Sequence, residues 1–217
     1  MSQNKKIKNV IFDFGGVIFD IDFSLCNKSF MKLGIENIES KYLQAQEKNL
    51  FDELEKGKIT SKNFCSEIRK LSNVSINDEE IINAWNSLLV GYKKDRLELL
   101  ENIKLFYRTF LLSNTNKIHY DAYLQMLKDN HGYNGLSTLF EETYFSHQIG
   151  MRKPEKEVFE FVLNEKKLVP EETVFIDDNK LNIEAARKLG IVAYFLDVEN
   201  GEQITELFDN NFKLKIA

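Results

Sequence analysis

Four short runs of apolar residues punctuate the chain, and each ends abruptly at a polar side chain. They span residues 10–12, 109–112, 173–176 and 191–196, and the residues that stop them are Asp13, Ser113, Asp177 and Asp197. The runs are rich in β-branched and aromatic residues, which favour strands. Because apolar and polar residues do not alternate within them, the runs predict strands that are covered on both faces.

Helical spacing of apolar residues separates these runs from about residue 93 onward. The order of helix, strand, helix, strand, helix is typical of a parallel sheet in an α/β fold. Pro154 suits the first turn of a helix, and Gly190 suits the position just beyond a helix end. Ligands of such sheets bind at the carboxyl ends of the strands, which is where the polar residues lie.

Residues 20–92 carry a different pattern, with helical spacing throughout and no strong strand. Helices are predicted over residues 23–33, over 42–54, from Thr60 onward and over 81–89. This all-helical block lies between the first strand and the rest of the α/β domain. We therefore predict a core domain of residues 1–19 and 93–217, with residues 20–92 inserted as a helical domain.

Composition limits the classes of protein to which the chain can belong. Its 217 residues, 43% hydrophobic and 29% charged, suit one or two folded domains. A net charge of −5 argues against a nucleic-acid partner held by phosphate neutralisation. Two cysteines are too few for a disulfide scaffold. No apolar run approaches the roughly 18 residues of a membrane span, and the N-terminus lacks a secretory pattern. We expect no membrane partner and a cytoplasmic location.

The residues at the predicted strand ends have both structural and chemical interpretations. A carboxylate such as Asp13 or Asp177, or the hydroxyl of Ser113, can simply cap a helix or a turn. Lys153 is harder to explain in that way, because it precedes a predicted helix N-terminus, where the helix dipole disfavours a cation. An anion bound between the lysine and the helix amides would explain its position.

Taken together, these residues fit one chemistry. The carboxylates of Asp13, Asp177 and Asp178 cannot all stay ionised at one sheet edge without a cation, and oxygen ligands suit Mg²⁺. A carboxylate can also attack phosphorus and form an aspartyl phosphate. A hydroxyl, a helix N-terminus and a lysine can then bind the oxygens of the transferring group. Gly15 and Gly16 allow the backbone to fold closely around such a site.

Four segments that carry these residues resemble the four motifs of the haloacid dehalogenase superfamily. They are Asp13-Phe-Gly-Gly-Val, Leu-Leu-Ser113-Asn114-Thr115, Gly-Met-Arg152-Lys153-Pro154 and Phe-Ile-Asp177-Asp178-Asn179, and they follow in the superfamily's order over nearly the whole chain. The resemblance implies a Rossmann-like parallel sheet with a small helical cap, here residues 20–92. Within the superfamily, the motifs look most similar to those of the bacterial α-D-glucose-1-phosphate phosphatases. The implied activity is Mg²⁺-dependent hydrolysis of a small phosphate ester, such as a sugar 1-phosphate, through an aspartyl-phosphate intermediate.

The resemblance also implies the ligands of the metal. Asp13 is implied to be both the nucleophile and a metal ligand, and Gly15 is implied to offer its backbone carbonyl to Mg²⁺. Asp178 is implied to ligate the metal directly. Asp177 either ligates it or organises its waters.

Three further roles concern the phosphoryl group. Ser113 and Lys153 are implied to hold it, with the amide of Asn114 beside them. Together with Asp13, Ser113 and Lys153 are therefore the predicted catalytic residues. The predicted partner is a small-molecule phosphate ester, and the sequence does not indicate an oligomeric state.

Gly15 departs from the pattern of the superfamily. Most of its phosphatases carry an aspartate there, two residues after the nucleophile, as a general acid and base, which contributes roughly 10²–10⁴-fold to the rate. The glucose-1-phosphatase subgroup resembles this chain in having glycine, and the anomeric oxygen of a sugar 1-phosphate leaves more easily than an ordinary alkoxide. Asp20, Asp22 or a residue of the cap could replace the aspartate. Asp20 could equally cap the first helix of the cap.

Two other functions stay open on the sequence alone. Carbon–halogen hydrolysis by Asp13 would need no metal, so the presence of both Asp177 and Asp178 argues against it. A non-catalytic binding or regulatory protein could have lost its chemistry at Gly15. The presence of Asp13 and Lys153 argues against that loss.

Overall fold

A parallel sheet lies at the centre of the computed structural model, which describes residues 6–36, 38 and 50–215. The strands in the described residues are β1 (Asn9–Phe12), β2 (Phe19–Ile21), β3 (Leu89–Tyr92), β4 (Arg108–Ser113), β5 (Glu142–Phe145), β6 (Thr173–Asp177) and β7 (Val192–Phe195). Five of them form the central sheet in the order β5-β4-β1-β6-β7, and every neighbouring pair is parallel. The predicted α/β fold with a Rossmann-like parallel sheet is confirmed.

Helices pack on both faces of this sheet and make up most of the inserted segment. Those in the described residues are α1 (Phe23–Lys32), α2 (Leu50–Glu55), α3 (Ser61–Arg69), α4 (Asp78–Asn86), α5 (Lys94–Ile103), α6 (Lys117–His131), α7 (Ser146–Ile149), α8 (Lys156–Lys166) and α9 (Lys180–Lys188). Short 3₁₀ turns span Leu136–Thr138, Pro170–Glu172, Val198–Asn200 and Ile204–Leu207. Among the described residues, no helix has both the length and the apolar character that crossing a membrane requires.

Strand β1 shows why the apolar runs are continuous. Its side chains alternate between the two faces of the sheet, and each face carries its own apolar cluster. Val10 and Phe12 enter the cluster that contains residues of α5 and α6, whereas Ile11 enters the cluster that contains residues of α8 and α9. All four residues of β1 are buried. A strand covered on both faces therefore needs apolar residues at every position.

The register of the sheet brings polar residues to one edge. Phe12 lies opposite Ile176 of the neighbouring strand β6. Asp13 and Asp177, which come next in the two strands, therefore lie side by side. Ser113 ends β4 at the same edge. The convergence expected at the carboxyl ends of the strands is present.

The structure contains three strands that the sequence pattern did not predict. Strands β2 and β3 pair in an antiparallel ribbon where the inserted segment leaves and rejoins the sheet. The prediction of no strand between residues 20 and 92 is therefore wrong at both ends, and α4 ends at Asn86 instead of continuing to residue 89. Strand β5 lies at the edge of the central sheet, with only its last two residues buried. These strands are short and depend on distant partners, so they leave little local pattern.

Two helices begin at residues other than the expected ones. Asp22 caps α1, because its side chain accepts a hydrogen bond from the backbone N–H of Ser24 at 2.8 Å, so the alternative of Asp20 as the cap is wrong. Asn179 caps α9 by accepting from the N–H of Leu181 at 2.9 Å. The N-cap of α9 is therefore an asparagine, and Asp177 contributes to the same turn by accepting from the N–H of Asn179 at 2.7 Å.

Other helix boundaries test the remaining expectations. Thr60 caps α3 as expected. Gly190 lies just beyond α9 with a φ of +80°, a conformation that glycine adopts without strain, so that prediction is confirmed. Pro154 is not in the first turn of α8, because that helix begins at Lys156. Lys153 and Pro154 are joined by a cis peptide bond.

The inserted segment, residues 20–92, is called the cap below and contains an apolar cluster of its own. The ring of Trp85 lies at its centre, 5.4 Å from the ring of Phe51 and 5.3 Å from that of Phe64. Of the second predicted helix, residues 50–55 form α2, and residues 42–49 lie outside the described residues. The proposed division into a core of residues 1–19 and 93–217 and a cap stays a prediction.

Candidate active site

Two aspartates and a lysine form a buried charged cluster at the carboxyl edge of the sheet. The Nζ atom of Lys153 lies 2.6 Å from Oδ1 of Asp13 and 2.7 Å from Oδ2 of Asp177. The side chain of Lys153 is 1% exposed and that of Asp177 is fully buried. The structure thus brings together three of the predicted site residues, from three distant parts of the sequence.

Different elements deliver the members of this cluster. Asp13 follows β1 directly, and its backbone N–H donates to the carbonyl of Ile176 at 2.9 Å. Lys153 comes from the loop before α8, which the side chain of Asn114 holds through two hydrogen bonds. Nδ2 of Asn114 donates to the carbonyl of Lys153 at 2.8 Å, and Oδ1 accepts from its N–H at 2.9 Å. Asn114 therefore positions the main chain of Lys153, and the two carboxylates explain this buried lysine without a helix N-terminus.

Asp177 and Asp178 have different surroundings although they are adjacent. Oδ1 of Asp177 accepts hydrogen bonds from the backbone N–H of Asn179 at 2.7 Å and from the side chain of Asn182 at 3.1 Å. Oδ2 of Asp177 accepts from Lys153 and from Asn182. Both of its oxygens are therefore engaged. Asp178 is only half-buried.

Gly16 faces Asp178 at a distance that leaves no room for a side chain. A Cβ atom built on Gly16 would lie 2.1 Å from Oδ2 of Asp178, and the φ of Gly16 is +79°. The positive φ favours glycine at this position, and a Cβ atom there would displace the carboxylate of Asp178. The expectation that glycine lets the backbone approach the site closely is confirmed at Gly16.

Burial and mutual repulsion raise the pKa values of two of the aspartates. Burial is the main reason why the pKa of Asp13 rises to about 7, although Lys153 lowers it. Burial, followed by repulsion from Asp177, raises the pKa of Asp178 to about 6. Burial also disfavours the charge of Lys153, but Asp13 and Asp177 outweigh that effect and raise its pKa. The cluster is therefore short of positive charge.

This imbalance fits a divalent cation. One carboxylate oxygen from each of Asp13, Asp177 and Asp178 lies within 4.8 Å of the others. Three ionised carboxylates against one ammonium group leave two negative charges. Oxygen ligands of this kind favour Mg²⁺. The three aspartates could therefore hold it, and Gly15, the predicted carbonyl ligand, lies two residues from Asp13 in the same turn.

A cavity of about 100 Å³ opens at this edge, between the core and the cap. Most of its wall is apolar or aromatic, and its polar and titratable lining residues are Glu55, Ser113, Asn114, Thr115, His119 and Tyr123. Gly15 also lines it. Ser113 and Asn114, which were predicted to hold the phosphoryl group, thus lie in the wall of one small, partly apolar cavity.

Ion pairs connect the cap to the core beside this cavity. Nη2 of Arg152 lies 2.9 Å from Oε2 of Glu55, and Nη1 of the same guanidinium contacts Asp52. Lys56, the next residue of the cap, pairs with Glu155 of the core. Arg152 belongs to one of the sequence motifs, whereas nothing in the sequence pattern indicates Glu55. Acidic residues in a short charged helix have the pattern of an ordinary solvent-exposed face.

His119 is a second residue of the cavity wall that the sequence did not reveal. Its Nδ1 lies 3.1 Å from the side-chain amide of Asn116, and its Nε2 lies 3.3 Å from the carbonyl of Trp85. The ring stacks on Trp85 with 4.8 Å between the centroids. Burial lowers the pKa of His119 to about 4. The neutral ring therefore bridges the cap and the core.

The two acidic residues named as substitutes at position 15 do not line the cavity. Asp20 pairs with Arg96 at 2.8 Å and with Lys93 at 3.3 Å. Asp22 caps α1, as described above. Both carboxylates are thus engaged in contacts that the fold itself requires.

Comparison with known proteins identifies the class of protein. The family model described as haloacid dehalogenase-like hydrolase matches residues 7–190. The chain therefore belongs to the haloacid dehalogenase-like hydrolases. The resemblance drawn from the four motifs and the prediction of a hydrolytic enzyme are confirmed.

Three individual proteins show how similar the chain is to members of this class. The chain is 31% identical to the D-ribitol-5-phosphate phosphatase of Bacteroides thetaiotaomicron, over 90% of this chain and 93% of that protein. It is 36% identical to a solved HAD family enzyme from the same organism, in complex with magnesium and inorganic phosphate. The match has a TM-score of 0.82 and covers 94% of this chain and 100% of that one. An L-2-haloacid dehalogenase from Xanthobacter autotrophicus, 19% identical with a TM-score of 0.59 over 88% of this chain and 77% of that one, shares the fold alone. The resemblance to the glucose-1-phosphatase subgroup stays a prediction.

Proposed function

We propose that this hydrolase is a Mg²⁺-dependent phosphatase that removes phosphate from a small sugar or polyol phosphate through an aspartyl phosphate on Asp13. The observation that carries the proposal is the position of Asp13, 2.6 Å from Lys153 and within a group of three carboxylates that fits a divalent cation. The names of two relatives support it, since one is a phosphatase and the other is in complex with magnesium and phosphate. Magnesium is accordingly the cofactor.

Asp13 acts as the nucleophile. Its carboxylate attacks phosphorus, and the bond from phosphorus to the ester oxygen breaks. Lys153 fixes one oxygen of Asp13 and favours its ionised form. When bound, Mg²⁺ supplies positive charge that lowers the pKa of Asp13 further and stabilises the transferring oxygens.

The core residues beside Asp13 hold the phosphoryl group. Ser113, which ends β4, and Asn114 line the cavity. The hydroxyl of Ser113 and the amide of Asn114 donate to the oxygens of the phosphoryl group. Lys153 adds a fixed positive charge. Because Asn114 also holds the main chain of Lys153, the strand end and the lysine loop form one rigid donor set.

Asp177 and Asp178 have different roles at the metal site. Asp178 ligates Mg²⁺ directly, together with Asp13 and the carbonyl of Gly15. Asp177, whose oxygens accept from Lys153, Asn179 and Asn182, organises the surroundings of the metal. Of the two roles that the resemblance leaves open for Asp177, we thus favour the indirect one.

The proposed cap covers the cavity and restricts the substrate. A cavity of about 100 Å³ beneath the proposed cap has no room for a folded protein, which supports a small substrate. The name of the relative from Bacteroides points to a phosphate on a primary alcohol, whereas the motifs point to a sugar 1-phosphate. Both belong to the small phosphate esters predicted as partners. The cytoplasmic location and the lack of a nucleic-acid partner stay predictions.

A panel of substrates tests the proposal. Purified protein is assayed against D-ribitol 5-phosphate, sugar 1- and 6-phosphates, a folded phosphoprotein and a 2-haloacid, each with Mg²⁺ and with a chelator. We expect Mg²⁺-dependent phosphate release from at least one small ester and none from the phosphoprotein. Halide release in chelator would favour the carbon–halogen hydrolase instead. No release from any ester by folded protein that binds Mg²⁺ and phosphate would favour the non-catalytic alternative.

A further inference from the structure

The proposed reaction requires a proton donor that position 15 cannot supply. The leaving oxygen of a primary alcohol needs a proton in the first step, and the water of the second step needs a base. Gly15 has no side chain for either task. The group that performs them must face the same cavity as Gly15 and Ser113.

Glu55 faces that cavity from the cap. It is the last residue of α2, its side chain is 17% exposed, and it lines the cavity together with Gly15 and Ser113. Oε2 lies 2.9 Å from Arg152, the residue that precedes Lys153 in the loop before α8. The carboxyl group is thus tied to the same loop that places Lys153 against Asp13.

The turn after α2 explains how a cap residue is held so close to the core. Gly57 has a φ of +66°, and a Cβ atom on it would lie 2.2 Å from the carbonyl oxygen of His147 in α7. Only glycine permits this approach of the cap backbone to the core backbone. Lys56, which lies in the same turn as Gly57, pairs with Glu155 of the core. Glu55 therefore has a defined position over the sheet edge.

Among the described residues that line the cavity, Glu55 is the one carboxyl group. Both ring nitrogens of His119 have partners, in Asn116 and Trp85, and burial keeps that ring neutral by lowering its pKa. Burial raises the pKa of Tyr123 well above its ordinary value, so it cannot accept a proton from water near neutral pH. Neither residue can serve as both acid and base.

The charges around Glu55 favour the protonated form of its carboxyl group. One guanidinium, that of Arg152, faces two carboxyl groups, those of Glu55 and Asp52. Burial is the main cause that raises the pKa of Glu55, and Asp52 raises it further. Arg152 and Lys153 lower it without cancelling the rise. A raised pKa favours the protonated form of the carboxyl group, which can donate a proton.

We propose that Glu55 is the general acid and base of this enzyme, supplied by the cap in place of the aspartate that Gly15 replaces; the inference rests on the proposed function. In the first step, Asp13 bonds to phosphorus while the Glu55 carboxyl gives its proton to the departing oxygen, so the alcohol leaves neutral. In the second step, the Glu55 carboxylate takes a proton from water, whose oxygen bonds to phosphorus. The bond from phosphorus to Asp13 breaks, which releases phosphate and leaves Glu55 protonated again.

The variant Glu55→Gln separates the two steps when it is given two esters. p-Nitrophenyl phosphate has a leaving group that needs no proton, so Asp13 still becomes phosphorylated at the wild-type rate. Hydrolysis of the intermediate then falls roughly 10²–10⁴-fold. We expect a burst of p-nitrophenol equal to the enzyme concentration, followed by slow turnover. D-ribitol 5-phosphate needs the proton in the first step, so its turnover falls by the same range and shows no burst.

Asp52→Asn is the matched control, because Asp52 pairs with the same guanidinium of Arg152 and does not line the cavity. Asp52 contributes to the raised pKa of Glu55 but takes no part in proton transfer, so the variant should show no burst and lose far less turnover of both esters than Glu55→Gln. Glu55→Asp, which retains a carboxyl group, should recover part of the loss. A burst in Glu55→Gln also shows that the variant is folded.

Two results would overturn the proposal. One is a Glu55→Gln enzyme whose turnover of both esters stays within about threefold of the wild type, a difference below 1 kcal/mol in the barrier. The other is a Glu55→Gln enzyme without a burst, including one that has lost all activity. Both leave the phosphatase function intact as long as the wild type is active. A wild type inactive on every ester instead contradicts the proposed function, and this inference with it.

Discussion

Different kinds of contact lie behind the core side and the cap side of the cavity, which are called the core wall and the cap wall below. On the core side, Lys153 and Asp177 are almost completely buried, and hydrogen bonds from Asn114 and Asn182 hold them. On the cap side, ion pairs carry the contact, and Arg152, at 18% exposure, is the less exposed partner of Asp52, at 31%. Lys56 and Glu155 are 19% and 40% exposed. The charged groups of the core wall are thus shielded from water, whereas those of the cap wall are partly exposed, and we expect salt to weaken them more.

This difference matches the two halves of a phosphate ester. Every substrate of a phosphatase carries the same phosphoryl group, so the residues that bind it can belong to a fixed sheet edge. The alcohol differs between substrates, and under the proposed function it contacts the cap.

Replacing the nucleophile should have the largest effect. Asp13→Asn keeps the shape of the side chain but removes the attacking charge and a metal ligand, so we expect kcat to fall by about 10⁴-fold or more. Steady-state assays with Mg²⁺ on the best ester of the panel measure this loss. A variant that retains more than a few per cent of wild-type turnover would rule out the covalent mechanism.

Replacing one lysine of the core wall and one of the cap wall tests the difference in burial between their ion pairs. Lys153→Met leaves Asp13 and Asp177 buried without their cation, which should lower the free energy of unfolding in chelator by about 3–5 kcal/mol. Lys56→Met removes a partly exposed ion pair with Glu155 and should cost at most about 1 kcal/mol. Urea denaturation at pH 8 measures both values. Equal losses would show that the two walls do not differ as described.

Adjacent glycines in the core wall should respond differently to a methyl group. Gly16→Ala drives a Cβ atom into Asp178, so we expect the affinity for Mg²⁺ to fall about 10–100-fold. Gly15→Ala meets only the flexible tip of Ile21 at 3.2 Å, and the affinity should change little. Isothermal titration with Mg²⁺ distinguishes them. Equal affinities in the two variants would mean that Asp178 is not a ligand.

The raised pKa values of the core wall predict how Mg²⁺ stabilisation depends on pH. Without metal, the folded-state pKa of Asp13, about 7, lies above its unfolded value, so the stability that this group contributes is lost as the pH rises through 7. Bound Mg²⁺ compensates the charge. The rise in melting temperature caused by Mg²⁺ should therefore grow between pH 5 and pH 8. Asp13→Asn should show a smaller growth, and an equal one would mean that Asp13 does not titrate in this range.

Asp20 should have the smallest effect on catalysis. It pairs with Arg96 and Lys93 and does not line the cavity. Asp20→Asn should therefore keep kcat within a factor of about three, which is below 1 kcal/mol in the barrier. Its turnover is compared with that of Glu55→Gln on D-ribitol 5-phosphate. A greater loss of turnover in Asp20→Asn than in Glu55→Gln would indicate that Asp20, and not Glu55, is the general acid.

The same contrast between the walls explains what the sequence could predict. Asp13, Ser113 and Asp177 directly follow or end buried parallel strands, and the topology of such a sheet brings strand ends together. Their convergence could therefore be predicted from local pattern. Lys153 was also predicted, but its explanation was incomplete, because its main-chain hydrogen bonds with Asn114 depend on the folded path of the loop.

The cap wall could not be predicted in this way. Glu55 reaches the cavity only because Gly57 lets the cap backbone touch the core and because Arg152, nearly a hundred residues later, pairs with it. Strands β2 and β3 pair across a similar separation. Contacts between such distant segments leave no periodicity in either of them. The cap, which is proposed to contact the alcohol, is therefore the region whose contacts are hardest to predict from the sequence.

Direct detection of the phosphorylated residue tests the central claim, that the core wall performs the phosphoryl transfer. Enzyme in excess is mixed with radiolabelled ester and Mg²⁺, quenched in acid within milliseconds and digested for mass spectrometry. The account predicts transient label on the peptide that contains Asp13, and none in Asp13→Asn. Label on another residue, or turnover by the wild type with no labelled protein at any time, would contradict it.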